Sequence, residues 1–383
     1  MSLHASGGER ALPLLAAVAA AGAAVGASLG YCLGASGDWA VPLGGKAKKK
    51  RRTRVGVVGY GSLGQYLVSA ILQDPKISQE VELAFVWNRT VSKITEDTEN
   101  HIPPHLILHN LENFASKKAD LIVEVAHPSI SLQYGEAFLR EADYFVGSPT
   151  VLADPILERQ LRQVLADNNA GRSRSRGRRK TNLYVPAGAF WGAHDIQKMA
   201  QRGSLTALSV TMRKHPSSLR LEAPLQQKLD QLLSSSSSSS SPSASSTSSV
   251  QRHSKNFSHS LEENEENAEN EDDGGLILYE GPVRELCPLA PQNVNTMACA
   301  ALAAENLGFD QTIGRLVADP HGGDAHIIQI QVEGINGFRV YTTRLNPAAP
   351  GAVTGSATYR SFLSSLLVAA TNAPSDHSSI RFC

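Results

Sequence analysis

Cysteine is scarce in this chain: four residues, Cys32, Cys287, Cys299 and Cys383, are scattered over 383 positions. No CxxC or Cys/His spacing occurs among them, so neither a disulfide framework nor a metal site is expected, and free thiols in a reducing compartment are. Also missing is any GxxxxGK[ST], which sets aside a P-loop nucleotide hydrolase. Net charge is absent too, with 36 basic against 36 acidic residues. That balance is a sum of separated blocks, basic at 46–54 and 172–180 and acidic at 262–273, which read as solvated linkers rather than one charged binding face. The basic loop 171–180 has no interleaved aromatics, so a surface loop is expected there and no nucleic-acid partner.

What the chain does have is concentrated at residues 54–64, RVGVVGYGSLG. A β-branched run leads into Gly59, Gly61 and Gly64, and an amphipathic segment follows, so the stretch reads strand, turn, helix. Each glycine then has its own task in holding a dinucleotide: Gly59 for the tight turn, Gly61 for backbone approach to a pyrophosphate, Gly64 for close helix packing. The helix N-terminus supplies free N–H groups to the phosphates. A ribose-binding Asp or Glu is expected at the end of the next strand, but Asn88 and Arg89 stand there. Without that carboxylate nothing repels a 2′-phosphate, and Arg89 can pair with it, so NADP is preferred over NAD.

Strands alternate with helices from 55 to 185: strands at 55–58, 81–87, 106–108, 119–126, 144–146 and 183–185, helices at 62–72, 131–141 and 155–166. This alternation predicts an α/β fold whose N-terminal part, 54–186, is a doubly wound parallel sheet with its ligand at the carboxyl ends of the strands. A second mixed-sheet α/β domain is expected over 187–345, followed by a C-terminal helix and tail over 346–383. Within it, strands at 205–212 and 276–279 are joined by a polyserine and acidic insertion, 234–275, too polar to fold. A helix over 293–307 has Asn293 available as its cap, and Asn336-Gly337 marks a hairpin between strands 327–332 and 338–343. Residues 1–53 form an extension. Its uncharged, Ala- and Gly-rich run at 11–34 is long enough to cross a bilayer but lean in Leu, Ile, Val and Phe. An anchor with basic residues 46–54 on the cytoplasmic side and an extension without membrane contact both stand open. A cytoplasmic location is the expectation for the catalytic part either way.

Several ordered blocks resemble the L-aspartate dehydrogenase family. They are the glycine turn, VEVAHP at 123–128, VPAGAFWG at 185–192, YEGPV at 279–283, PQNVNT at 291–296, VADP at 317–320 with His326, and NP at 346–347 with SA at 356–357. The resemblance covers residues 54–383 apart from the two insertions. It implies a Rossmann domain plus a mixed α/β domain, a homodimer, and NAD(P)-dependent oxidative deamination of L-aspartate to iminosuccinate, then oxaloacetate and ammonia. It also implies His326 as the catalytic acid/base, Ala189 as a residue whose backbone lies by the dinucleotide, and Asn293 as a cofactor contact. Imidazole suits the task because it titrates near working pH. His127 at a strand end and His321 in a variable loop are weaker candidates. Arg213, Lys214 and His215 are three cations of which one could bind the substrate carboxylate, with no rule in the sequence to choose among them. Two rival readings remain: a related reductase of another imine or carbonyl, and a catalytically silent dinucleotide-binding sensor or scaffold.

Overall fold

The computed structural model describes residues 51–171, 180–238, 275–349, 351–353, 355, 357–372 and 377–383. These lie within one compact unit, Lys50–Cys383. The basic loop at 172–179, most of the polar insertion and the run at 11–34 fall outside them. Among the described residues, no helix is long and apolar enough to cross a membrane.

Strand β1 (Thr53–Val58) enters helix α1 (Ser62–Gln73), and β2 (Val81–Trp87) follows. Next come β3 (Leu121–Glu124), α2 (Pro128–Glu141), β4 (Asp143–Val146), α3 (Pro155–Asn169) and β5 (Leu183–Val185). Local signals place the helix starts. Pro155 at the first position of α3 lacks an N–H that would be unsatisfied anyway, and the Asp154 carboxylate accepts from the Ile156 and Leu157 amides at 2.9 and 2.8 Å.

The chain then leaves for a second sheet. Its elements are α4 (Ala193–Gln201), β6 (Leu205–Lys214), α5 (Ala223–Ser238), β7 (Leu276–Pro282), α6 (Val283–Leu289), α7 (Asn295–Ala303), β8 (Ile313–Ala318), β9 (Ala325–Gly334) and β10 (Arg339–Pro347). Finally α8 (Ala357–Thr371) and β11 (Ile380–Phe382) return to the first sheet.

The first sheet runs β11-β5-β4-β3-β1-β2 and every pairing in it is parallel. One apolar core packs α2 and α3 on one face, and a second packs α1 and α8 on the other, where Phe362 meets Phe145 with ring centroids 5.0 Å apart. The second sheet runs β10-β9-β6-β8-β7 and is mixed. The chain thus has the expected α/β architecture, a parallel doubly wound sheet beside a mixed one.

Four expectations need correction. Residues 106–108 form no strand: Pro104–Leu106 is a 3-10 turn, and Ile107 makes a single parallel bridge to Val86. The last strand, β11, has no signal in its three residues and exists because β5 offers an open edge. Helix α5 continues to Ser238, inside the stretch expected to be unfolded. Asn293 caps no helix, as its carboxamide is committed elsewhere. The hairpin does form at Asn336 and Gly337, both with left-handed φ, +59° and +78°.

Candidate active site

Strand β1 pairs with β2 on one side and β3 on the other, so the chain reverses its winding between β1 and β3, and a crevice opens at their carboxyl ends. Gly59 sits in that crevice at φ +112°, and a Cβ there would lie 2.7 Å from the Val125 backbone. A Cβ on Gly64 would lie 2.2 Å from the Gly59 carbonyl oxygen, which is what lets α1 start directly against the turn. Gly61 is different: nothing stands within 4 Å of where its Cβ would be. Its flank is open space beside the start of α1, a helix with no side-chain cap and no acid in its first turn. Free N–H groups, a positive helix end and a bare backbone flank fit a pyrophosphate.

Gly59, Gly61, Asn88, Arg89 and His127 line one hollow, while Gly64 lies behind it. Asn88 acts as a brace: its Oδ1 accepts from the Tyr60 amide at 3.1 Å and its Nδ2 donates to the Thr90 carbonyl at 2.9 Å. Arg89 is exposed and has no hydrogen-bond or ion-pair partner among the described residues. His127 caps α2, its Nδ1 accepting from the Ser129 amide at 3.2 Å.

A second cleft opens beside the first, still at the carboxyl ends of the parallel strands. Gly147 after β4, Gly188 and Ala189 after β5, and Leu63 at the start of α1 form its first-sheet side. From the second sheet come three buried polar residues in a row across adjacent strands: Lys214 on β6, His326 on β9 and Asn346 on β10, 4, 5 and 7 % exposed. Asn346 pairs with His326, and the β6–β9 ladder brings Arg213 opposite Ile327, so Lys214 and His326 come next on that ladder. Alternation explains why they face inward. Leu208, Val210 and Met212 precede Lys214 at every second position of β6, and Ile328, Ile330 and Val332 follow His326 likewise on β9.

The Lys214 ammonium donates to the carbonyls of Asn293 and Val353, both at 3.2 Å, with no carboxylate bonded to it among the described residues. Burial pulls its pKa down to about 8. Burial and the Lys214 charge together push His326 down to about 4, so it does not titrate near working pH as expected of an imidazole but stays neutral there. Nε2 of His326 is buried and has no hydrogen-bond partner among the described residues. In the neutral ring one of the two nitrogens carries a lone pair that can take a proton.

The structure separates the other candidates. Arg213 is engaged with Asp319 at 3.3 Å, and His215 caps its own turn by accepting from Ser217. His321 is exposed and lies outside this cleft, in a neighbouring hollow that His326 also lines. Asn293 lines the cleft but holds its loops together, accepting from the Arg220 amide at 2.7 Å and donating to the Ser218 carbonyl at 3.0 Å.

Two family models match separate parts of the chain. Residues 59–171 match the NAD binding domain of homoserine dehydrogenase, and residues 236–365 match the C-terminal region of aspartate dehydrogenase. An aspartate dehydrogenase domain-containing protein of Xenopus tropicalis is 45% identical over 325 residues, 83% of this chain and 95% of its own length. The chain belongs to the aspartate dehydrogenase domain-containing family. More distantly, an L-aspartate dehydrogenase of Methanococcoides burtonii is 26% identical over 304 residues, covering 78% of this chain and 89% of its own. The fold is shared with the crystal structure of aspartate dehydrogenase from Thermotoga maritima, with a TM-score of 0.51 at 17% identity over 82% of this chain and 96% of that one. Members of such a family are oxidoreductases that use a nicotinamide dinucleotide, and the glycine turn and α1 described above fit that cofactor.

Sequence reasoning passed over one residue in the family block VEVAHP. Glu124 ends β3 with no exposure, its Oε1 accepting at 2.6 Å from the amide of Ala126, which lines the hollow of the glycine turn. Burial raises its pKa to about 8. A folded pKa above the unfolded value gives stability that is complete below about pH 4.5 and is lost as pH rises toward 8. Wild type should therefore lose on the order of 2–4 kcal/mol relative to Glu124→Gln between pH 5 and pH 8. Urea unfolding of both proteins across that range reads the difference, and a difference flat with pH contradicts a neutral Glu124.

Proposed function

We propose that this protein oxidatively deaminates L-aspartate with NADP, and less well NAD, releasing oxaloacetate and ammonia. One observation carries the choice of substrate: a buried Lys214 ammonium, bonded to two carbonyls and to no carboxylate among the described residues, next to a neutral imidazole. A buried cation without a counter-charge favours an anionic ligand, and a carboxylate of aspartate supplies it. A bound nicotinamide would supply the acceptor for the hydride that leaves the substrate α-carbon. Lys214 holds the carboxylate and orients the substrate. His326, neutral and with Nε2 free, takes a proton from the water that adds to the imine carbon and returns it to the departing nitrogen as ammonia leaves. Gly59, Gly61, Arg89 and the backbone at Ala189 hold the dinucleotide, with Asn88 and Gly64 shaping the turn.

Nucleotide reduction with L-aspartate against other amino acids tests the reading. Dinucleotide binding without aspartate-dependent reduction would leave the scaffold reading standing, and turnover of a different amine or carbonyl the related-reductase one. Cofactor choice has its own test. Arg89→Asp should cut the NADP-to-NAD ratio of kcat/KM by about tenfold to a hundredfold, the worth of one charged hydrogen-bonded contact. An unchanged ratio removes Arg89 from the 2′-phosphate site.

The same reading includes a homodimer formed through the open face of the second sheet. Lys214, His326 and Asn346 point to the cleft side, so Ile327 and Gln329 on β9 and Tyr341 and Leu345 on β10 point the other way. Tyr341 and Leu345 are 61 and 63 % exposed on the edge strand. An uncovered sheet face with large apolar side chains is a self-association surface. Light scattering should give twice the chain mass for the wild type and the single chain mass for Tyr341→Glu/Leu345→Glu.

A further inference from the structure

Strand β10 carries a second residue on the cleft side, two positions before Asn346. The Nε of Arg344 donates to Asn346 Oδ1 at 2.8 Å, and its Nη1 donates to the Gly188 carbonyl at 3.2 Å. Those acceptors belong to different halves of the site. Asn346 is the ladder partner of His326, whereas Gly188 precedes Ala189 in the loop after β5 and lines the first-sheet side of the cleft. Gly188 stands at φ +59° with nothing within 4 Å of where a Cβ would be, so its own flank is open, between Ala187, whose amide donates to the Cys383 carbonyl at 2.9 Å, and the buried Phe190. One half-buried guanidinium therefore joins the segment assigned to the dinucleotide to the strand beside the acid/base.

We propose that Arg344 is a positioning residue that couples dinucleotide binding to assembly of the substrate site. This rests on the functional reading above for what occupies the two halves. The physical reason is the planar fork: Arg reaches two acceptors in fixed directions at once, so a shift of the Gly188 loop is passed to the Asn346 carboxamide and on to the row holding His326. A lysine keeps the charge but bonds as a point and cannot hold both acceptors in register. When the dinucleotide settles the Gly188 loop, the guanidinium fixes Asn346, and the substrate meets an ordered row.

The test measures binding as well as turnover. Trp191, three residues after Gly188 and 66 % exposed, gives a fluorescence signal for NADPH binding. NADPH affinity is measured on the full chain with and without succinate, a non-reacting dicarboxylate, for wild type, Arg344→Met and Arg344→Lys. In wild type, succinate should tighten NADPH binding about tenfold, within the usual range for coupled sites. Both variants should bind NADPH alone within about twofold of wild type, lose the tightening, and show kcat with aspartate reduced by about tenfold, matching that coupling. Full coupling in Arg344→Lys overturns the fork argument. Equal loss of NADPH binding with and without succinate, together with a lowered melting temperature in both variants, makes Arg344 a structural residue only and also overturns it. Wild-type protein that shows the binding coupling but oxidises no aspartate leaves Arg344 in place and refutes the assigned reaction instead.

Discussion

His326→Asn lowers kcat for L-aspartate oxidation by about 10²–10⁴-fold, the usual worth of a positioned general acid/base. Dinucleotide affinity stays within about twofold, because His326 is on the second sheet and the glycine turn is on the first. The two effects together distinguish this role from a folding role. A histidine serving only as packing would, on replacement, change the melting temperature and leave the chemistry near wild type. Retention of full kcat in His326→Asn removes it as the base. The neutral form is the working one, and burial beside Lys214 keeps it so down to about pH 4. The acid limb of kcat/KM should therefore lie near 4, well below the ordinary range for histidine.

Lys214→Met should reduce kcat/KM for L-aspartate by about 10²–10³-fold, the range seen when one partner of a buried charge pair is removed. Stability should move the other way. Among the described residues no counter-charge bonds the buried Lys214 ammonium, and an apolar chain of similar size in that place is neutral or stabilising. A variant that is inactive but melts at or above the wild-type temperature is the expected outcome, and thermal unfolding beside a steady-state assay reads it. The pH profile adds a further mark. Lys214 must be charged to hold a carboxylate, so activity falls as pH rises through about 8 in the free enzyme. In Lys214→Met that alkaline limb should vanish, and the acid limb should climb toward the ordinary histidine range, since the cation that depresses His326 is gone. An unmoved acid limb separates the two residues electrostatically and contradicts the shared cleft.

The glycine turn was legible without any structure because its constraints are local. A backbone angle of +112° at Gly59 and the near contact of Gly64 with its carbonyl are met within a few residues of chain, so they leave a pattern in the letters. The alternation of strands and helices was legible for the same reason, and so was the Asn336-Gly337 hairpin. Residues 106–108 misled because an apolar triplet has too little length to tell a strand from a turn, and only the edge of β2 shows how little of it pairs. The row of Lys214, His326 and Asn346 had a partial signal. Each of Lys214 and His326 ends an alternating apolar series, which places it on the buried face of its own strand, but which strands are neighbours is a long-range fact.

By itself the sequence determined the α/β class, the position of the dinucleotide turn, the lack of a ribose-binding carboxylate at 88–89, and one histidine at the head of a strand. Only the tertiary structure decided which of three consecutive cations faces that histidine: Arg213 turns to Asp319, His215 closes its own turn, and Lys214 enters the cleft. It also decided that Asn293 and Asn88 brace loops, that Glu124 is a buried acid, and that the last three-residue strand extends the first sheet. The reason is physical. Backbone angles and side-chain alternation are set by near neighbours along the chain, whereas charge pairing, burial and pKa depend on which distant strands are hydrogen-bonded side by side.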